Sequence, residues 1–196
     1  MAVLGERRLA ILHVDQLRDL LGLPAEAPSA AYPELAAALN RVLEAIEEAV
    51  RLVPAERLGT PTPNRGRDIR ELAYNIHYPI RLMAESLDSG LFEWKTDRDY
   101  AESRRFASTA ELADFCRETR LSWWERASRV SPEDAELQTE TLKGAFSNQR
   151  ILESQAWHAA QHLRQIYVFL REIGIEPKSE LGPSEMAPIQ LGDTVF

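Results

Sequence analysis

The chain has 196 residues, 44% of them hydrophobic and 28% charged, which suits one ordinary globular domain and excludes a fibrous or largely disordered polypeptide. Thirty-one acidic against 23 basic residues give a formal net charge of −8, a balance that repels phosphate backbones and anionic lipid and so argues against nucleic-acid and membrane partners. One cysteine, Cys116, excludes an internal disulfide, a CxxC redox pair and an all-cysteine zinc site, and leaves His13, His77, His158 and His162 as the nitrogen ligands available.

The opening run MAVLGERRLAILHV loses its apolar character too early for a secretory leader. No stretch approaches the roughly 18 to 20 apolar residues of a membrane span, so a cytoplasmic protein is expected. A short helix is predicted over Val14 to Leu21, capped by Asp15 and stopped at Gly22. From Pro33, tolerated in a first turn, Leu39, Leu43, Ile46, Val50 and Val53 recur at spacings of four and three and predict an amphipathic helix ending against Pro54. A second helix begins near Asp68, with Ile69, Leu72, Ala73, Ile76 and Ile80 on one face. Pro79 lacks the amide that would reach the carbonyl of Asn75 and should bend it.

A third helix opens on a capping box, Ser108 to Glu111, and carries Leu112, Phe115, Thr119 and Trp123. A fourth starts near Ser147 and runs through Leu152, Ala156, Ala159, Leu163, Ile166, Leu170 and Ile173 before Gly174 and Pro177 end it. The stretches 54–67, 87–107 and 131–146 read as irregular, and no alternating strand pattern is evident. Four helices with one apolar stripe each bury those stripes most economically against one another. The expected fold is therefore all-α: an antiparallel four-helix bundle with a long crossover, in a single domain spanning 1–196. Its core would cover about 33–174, with an N-terminal extension over 1–32 and an irregular tail over 175–196.

The sharpest chemical signal is His158-Ala-Ala-Gln-His162 in the fourth helix. Residues four apart are separated by about 6 Å along the axis and roughly 40° around it, so two imidazoles can converge on one ion. Relative to the stripe from Leu152 to Ile173, His162 lies roughly 80° and His158 roughly 120° from the centre, on the shoulder that faces a crevice between helices. His77 is the natural third member, since it follows Ile76 near the buried face of the second helix. Three neutral imidazoles leave open positions for water or substrate, the arrangement of a catalytic metal. The residues between the pair, Ala159, Ala160 and Gln161, lack the glutamate of an HExxH metalloprotease. Buried histidines that merely bond to carbonyls are the bland alternative.

The segment ESQAWHAAQHLRQI at 153–166, preceded by ELAYNIH at 71–77, resembles the DinB/YfiT-like superfamily. The resemblance spans roughly residues 33–174. It implies a four-helix bundle with a long crossover, frequent homodimers, and a divalent metal, zinc or nickel, held by His77, His158 and His162. It further implies that a small-molecule substrate, with a low-molecular-weight thiol as cosubstrate in some relatives, is handled by a metal-dependent transferase or hydrolase. A noncatalytic, stress-associated or partner-binding bundle is the alternative.

Other residues carry weaker signals. Cys116 follows Phe115 on the buried side of the third helix and reads as an inert core thiol. Trp123 and Trp124 read as packing, whereas Trp157 points nearly opposite the apolar stripe and is the candidate intersubunit contact. Glu153 and Tyr78 lie near the ligands in sequence without a clear aim at them. Arg70, Arg150 and Arg164 could attract an anionic thiol, with solvated ion pairing as the default.

Overall fold

Local chemistry at each helix start explains most of the element boundaries. In the computed structural model, which describes residues 2–4, 7–9, 30–63, 66–94 and 100–191, α1 (Tyr32–Leu52) follows Ala31, which offers no side-chain cap, and Pro33 supplies the pre-set φ of a first turn instead. Helix α2 (Ile69–Ser89) opens on a full capping box. The Glu71 amide donates to Asp68 Oδ1 at 2.9 Å, and the Asp68 amide donates to Glu71 Oε2 at 3.3 Å. Gly90, in the left-handed region at φ 69°, closes this helix through its amide to the Ser86 carbonyl. Asp68 also holds Arg70 at 3.1 Å. An Asp68→Ala variant should lose about 1–2 kcal/mol of unfolding free energy, read by urea denaturation at neutral pH, since its cap and its ion pair are lost together.

Helix α3 (Thr109–Ala127) uses only half of the expected box. Ser108 Oγ accepts from the Glu111 amide at 3.2 Å, but the Glu111 carboxylate takes the Ala107 amide at 2.8 Å, one residue upstream. A one-turn helix, α4 (Pro132–Ala135), precedes the long α5 (Asn148–Glu172), whose cap is Ser147 Oγ accepting from the Arg150 amide. Helix α5 ends before Gly174, at φ 80°. The predicted helix at Val14 to Leu21 and His13 lie outside the described residues.

The four long helices bury their stripes against one another in a definite pattern: α1 packs on α3 and α5, and α2 packs on the same two. Leu39, Leu43, Ile46, Ile69, Ile76, Ile80, Leu112, Trp123, Leu152 and Leu163 are all fully buried, and all lie on the stripes read from the sequence. The chain is therefore mostly helical, as expected. It is not purely so.

Strands β1 (Ala2–Leu4) and β2 (Arg7–Leu9) pair antiparallel at the N-terminus. A second, three-stranded sheet joins β3 (Leu91–Phe92) in parallel to β4 (Gln138–Thr141), which pairs antiparallel with β5 (Gly144–Ser147). Strands of two to four residues are too short for alternation to register in the sequence, which is why the stretches around them read as irregular. This sheet fixes the α2–α5 seam. β3 directly follows the end of α2 and β5 directly precedes α5, while Asn148 accepts from Thr139 Oγ1 at 2.8 Å and donates to the Asp134 carbonyl at 2.9 Å.

The segment after α5 is irregular, as expected, yet it packs back on the helices. Met186 and Ile189 are buried, and Tyr167 Oη accepts from the Leu181 amide at 3.3 Å. Among the described residues no helix is long and apolar enough to cross a membrane.

Candidate functional site

About three to four helical turns from the sheet, α2 and α5 bring three polar side chains together. Asn75 Nδ2 lies 3.0 Å from His158 Nε2 and 3.2 Å from His162 Nε2. An amide nitrogen only donates, so both imidazole Nε2 atoms accept, and their lone pairs converge on the same group. The two rings stand edge to face with centroids 4.6 Å apart, as the i, i+4 spacing anticipates.

Second contacts fix these rings. His162 Nδ1 donates to Gln165 Oε1 at 2.7 Å, which assigns the proton to Nδ1 and leaves Nε2 as the acceptor. The Trp94 ring packs on His158 with centroids 4.9 Å apart. Burial, then the neighbouring His162, then Arg67 hold the His158 pKa well below the ordinary histidine value, so this imidazole is neutral at physiological pH. Its Nδ1 is buried without a hydrogen-bond partner. Gln155, one turn before His158 and nearly in phase with His162, is also buried, with an unpartnered Oε1. Unsatisfied polar atoms of this kind call for a water, an ion or a ligand.

The described contacts of His77 are with α2 itself and with α3. This residue is fully buried, its Nδ1 donates to the Ala73 carbonyl at 2.9 Å, and its ring stands 6.1 Å from Phe115 of α3. The side chain that α2 gives to the histidine pair is Asn75, and the two-residue step to His77 turns it about 200° around the helix axis, toward α3. Among the described residues, no three His, Cys, Asp or Glu side chains form a group able to hold a metal ion. His77 Nε2 is buried and unpartnered. Burial chiefly, with a smaller push from Arg120 and an opposing pull from the Ala73 carbonyl, brings its pKa down to about 4. The sequence carried only part of the signal for Asn75: an amide among Leu72, Ile76 and Pro79, all buried, needs polar partners, but the pattern does not say which neighbouring helix supplies them.

The remaining candidates sit as follows. Cys116 is fully buried, and burial pushes its thiol well above the ordinary range, which suits a core residue and not a nucleophile. Trp123 is fully buried and Trp124 packs against it at 6.1 Å, whereas Trp157 is 49% exposed. Glu153 pairs with Arg150 at 2.9 Å and accepts from Gln149. Tyr78 stacks on Tyr74, with the Arg81 guanidinium over its ring at 5.0 Å. Arg70 is committed to Asp68.

Compared with known proteins, the chain matches no family model and no curated protein sequence.

Proposed function

We propose that the four long helices form a DinB-like antiparallel bundle whose α2–α5 seam binds a divalent cation, zinc or nickel, through Nε2 of His158 and His162. The bound ion would serve a metal-dependent transferase or hydrolase acting on a small molecule, with a low-molecular-weight thiol as cosubstrate. The observation that carries this reading is that Nε2 of both imidazoles faces one small volume, at 3.0 and 3.2 Å from the same Asn75 amide atom. The donor set fits a cation in three further respects. His162 gives its other ring nitrogen to Gln165, the outer-shell support that ligating histidines receive. His158 is kept unprotonated, as a ligand must be. Gln155, one helical turn before His158, carries a buried oxygen with no hydrogen-bond partner.

A cation held there would supply Lewis acidity and lower the pKa of a bound water or thiol. The chain's own groups orient and shield the site: Trp94 covers one imidazole, and the sheet holds α2 and α5 in register. Cys116 is sealed in the core, so a reacting thiol would arrive with the substrate. Homodimer formation would draw on the half-exposed Trp157, on the side of α5 away from the core.

One observation favours a second reading. The Asn75 amide already donates to both imidazoles, so the cluster can close as a hydrogen-bonded lock in a noncatalytic bundle. Metal analysis of untagged protein separates the two. The cation reading expects about one equivalent of bound zinc or nickel, absent from a His158→Ala, His162→Ala double variant that keeps its helical circular dichroism. Protein that neither retains nor takes up a divalent ion defeats it in favour of the lock.

A further inference from the structure

We infer that the third protein ligand of the proposed cation site is the Asn75 side-chain oxygen, and that His77 belongs to the core. This assignment rests on the cation reading above.

Spacing is the first argument. Donors held about 2.0–2.1 Å from one ion stand about 3.0 Å apart when they subtend a right angle and about 3.4 Å apart at the tetrahedral angle. The terminal amide atom of Asn75 lies 3.0 and 3.2 Å from the two Nε2 atoms. It therefore occupies the distance of a neighbouring vertex of a coordination shell, not of the ion at its centre. Without an ion, Nδ2 faces the lone pairs and both are satisfied. A half-turn of the carboxamide about its terminal bond puts Oδ1 at the same vertex, so that three acceptor atoms border one small volume in which an ion would sit.

Burial and direction supply the second argument. Asn75 is only 5% exposed, and the ring nitrogens it meets belong to the one histidine pair that α5 presents to α2. His77 is committed elsewhere, with Ala73 and Phe115 about its ring and Arg120 of α3 contributing to its electrostatics. The consequence is chemical. Two imidazoles and a neutral amide leave the full double charge of the ion unneutralised by protein, so the open positions favour an anionic co-ligand such as a thiolate or carboxylate. A neutral oxygen in place of a third imidazole also weakens retention of zinc and nickel, which prefer nitrogen.

Cobalt(II) titration of untagged protein, followed by its visible absorption and by competition with a chromophoric chelator, tests the assignment. Asn75→His should tighten binding by about tenfold or more and shift the cobalt spectrum, Asn75→Ala should weaken it by about tenfold, and His77→Leu should leave affinity within about threefold and the spectrum unchanged. Asn75→His keeps the test decisive if the alanine variant does not fold. Wild-type binding that is lost in His77→Leu and indifferent to both Asn75 substitutions overturns the Asn75 assignment alone. Wild-type protein that binds no cobalt, or binds it equally in the His158→Ala, His162→Ala variant, overturns the cation reading and this assignment with it.

Discussion

Free zinc or nickel at about 100 times its dissociation constant should stabilise the folded protein by about 2.7 kcal/mol through mass action, provided the unfolded chain does not compete. For a chain of this length that corresponds to a rise in melting temperature of about 5 to 11 °C. Differential scanning calorimetry at pH 7.5, with and without a chelator, reads it directly. The rise should vanish in His158→Ala, His162→Ala, whose own melting temperature should not respond to the chelator. A rise that persists in the double variant would locate the binding elsewhere and remove the basis for assigning the pair any role in holding an ion. Magnesium supplies a useful contrast, because it favours oxygen ligands and dehydrates reluctantly and should give no comparable rise.

That expectation depends on a feature the sequence carried openly and one it carried only in part. The histidine pair was legible because helical geometry alone determines whether residues 158 and 162 share a flank, and the apolar stripe from Leu152 to Ile173 left little doubt that the segment is helical. Helix starts were legible wherever a side chain does the capping, as at Ser147, and helix ends wherever glycine takes a positive φ, as at Gly174. The α2 side chain that contacts the pair was not legible by the same means. Helix α2 packs on both α3 and α5 and buries consecutive residues from Leu72 to Ile80, so burial of His77 did not say which neighbour it faces. Only the packing distinguishes Asn75, turned to α5, from His77, turned to α3. The small sheet was hidden for a different reason: its pairing joins residues nearly 50 apart, and each strand is too brief to show its period. Burial of Met186 and Ile189 likewise reflects a return of the chain over the helices that no local pattern announces.

His77 itself makes the second large prediction, one about stability and independent of any ion. Its pKa falls from an ordinary 6.5 to about 4 on folding, because the ring is enclosed and Arg120 stands near. The unfolded chain therefore binds more protons than the folded one between these values, and stability must fall as pH falls. The contribution is fully present above about pH 6.5 and is lost progressively as pH falls from there through about 4, amounting to about 2 kcal/mol by pH 5 and about 3 kcal/mol by pH 4. His77→Leu removes the titrating group while keeping an apolar side chain of similar size, and the Ala73 carbonyl keeps its normal helical acceptor role. Urea unfolding of chelator-treated wild type and variant at a series of pH values should show the two diverging below neutrality, with the wild type losing about 2 kcal/mol more than the variant between pH 7 and pH 5. Parallel curves over that interval would mean that His77 takes up its proton inside the fold at little cost. An imidazole with a well-solvated Nε2 would behave that way, and the close packing of α2 on α3 around this ring would then have to open at mildly acid pH.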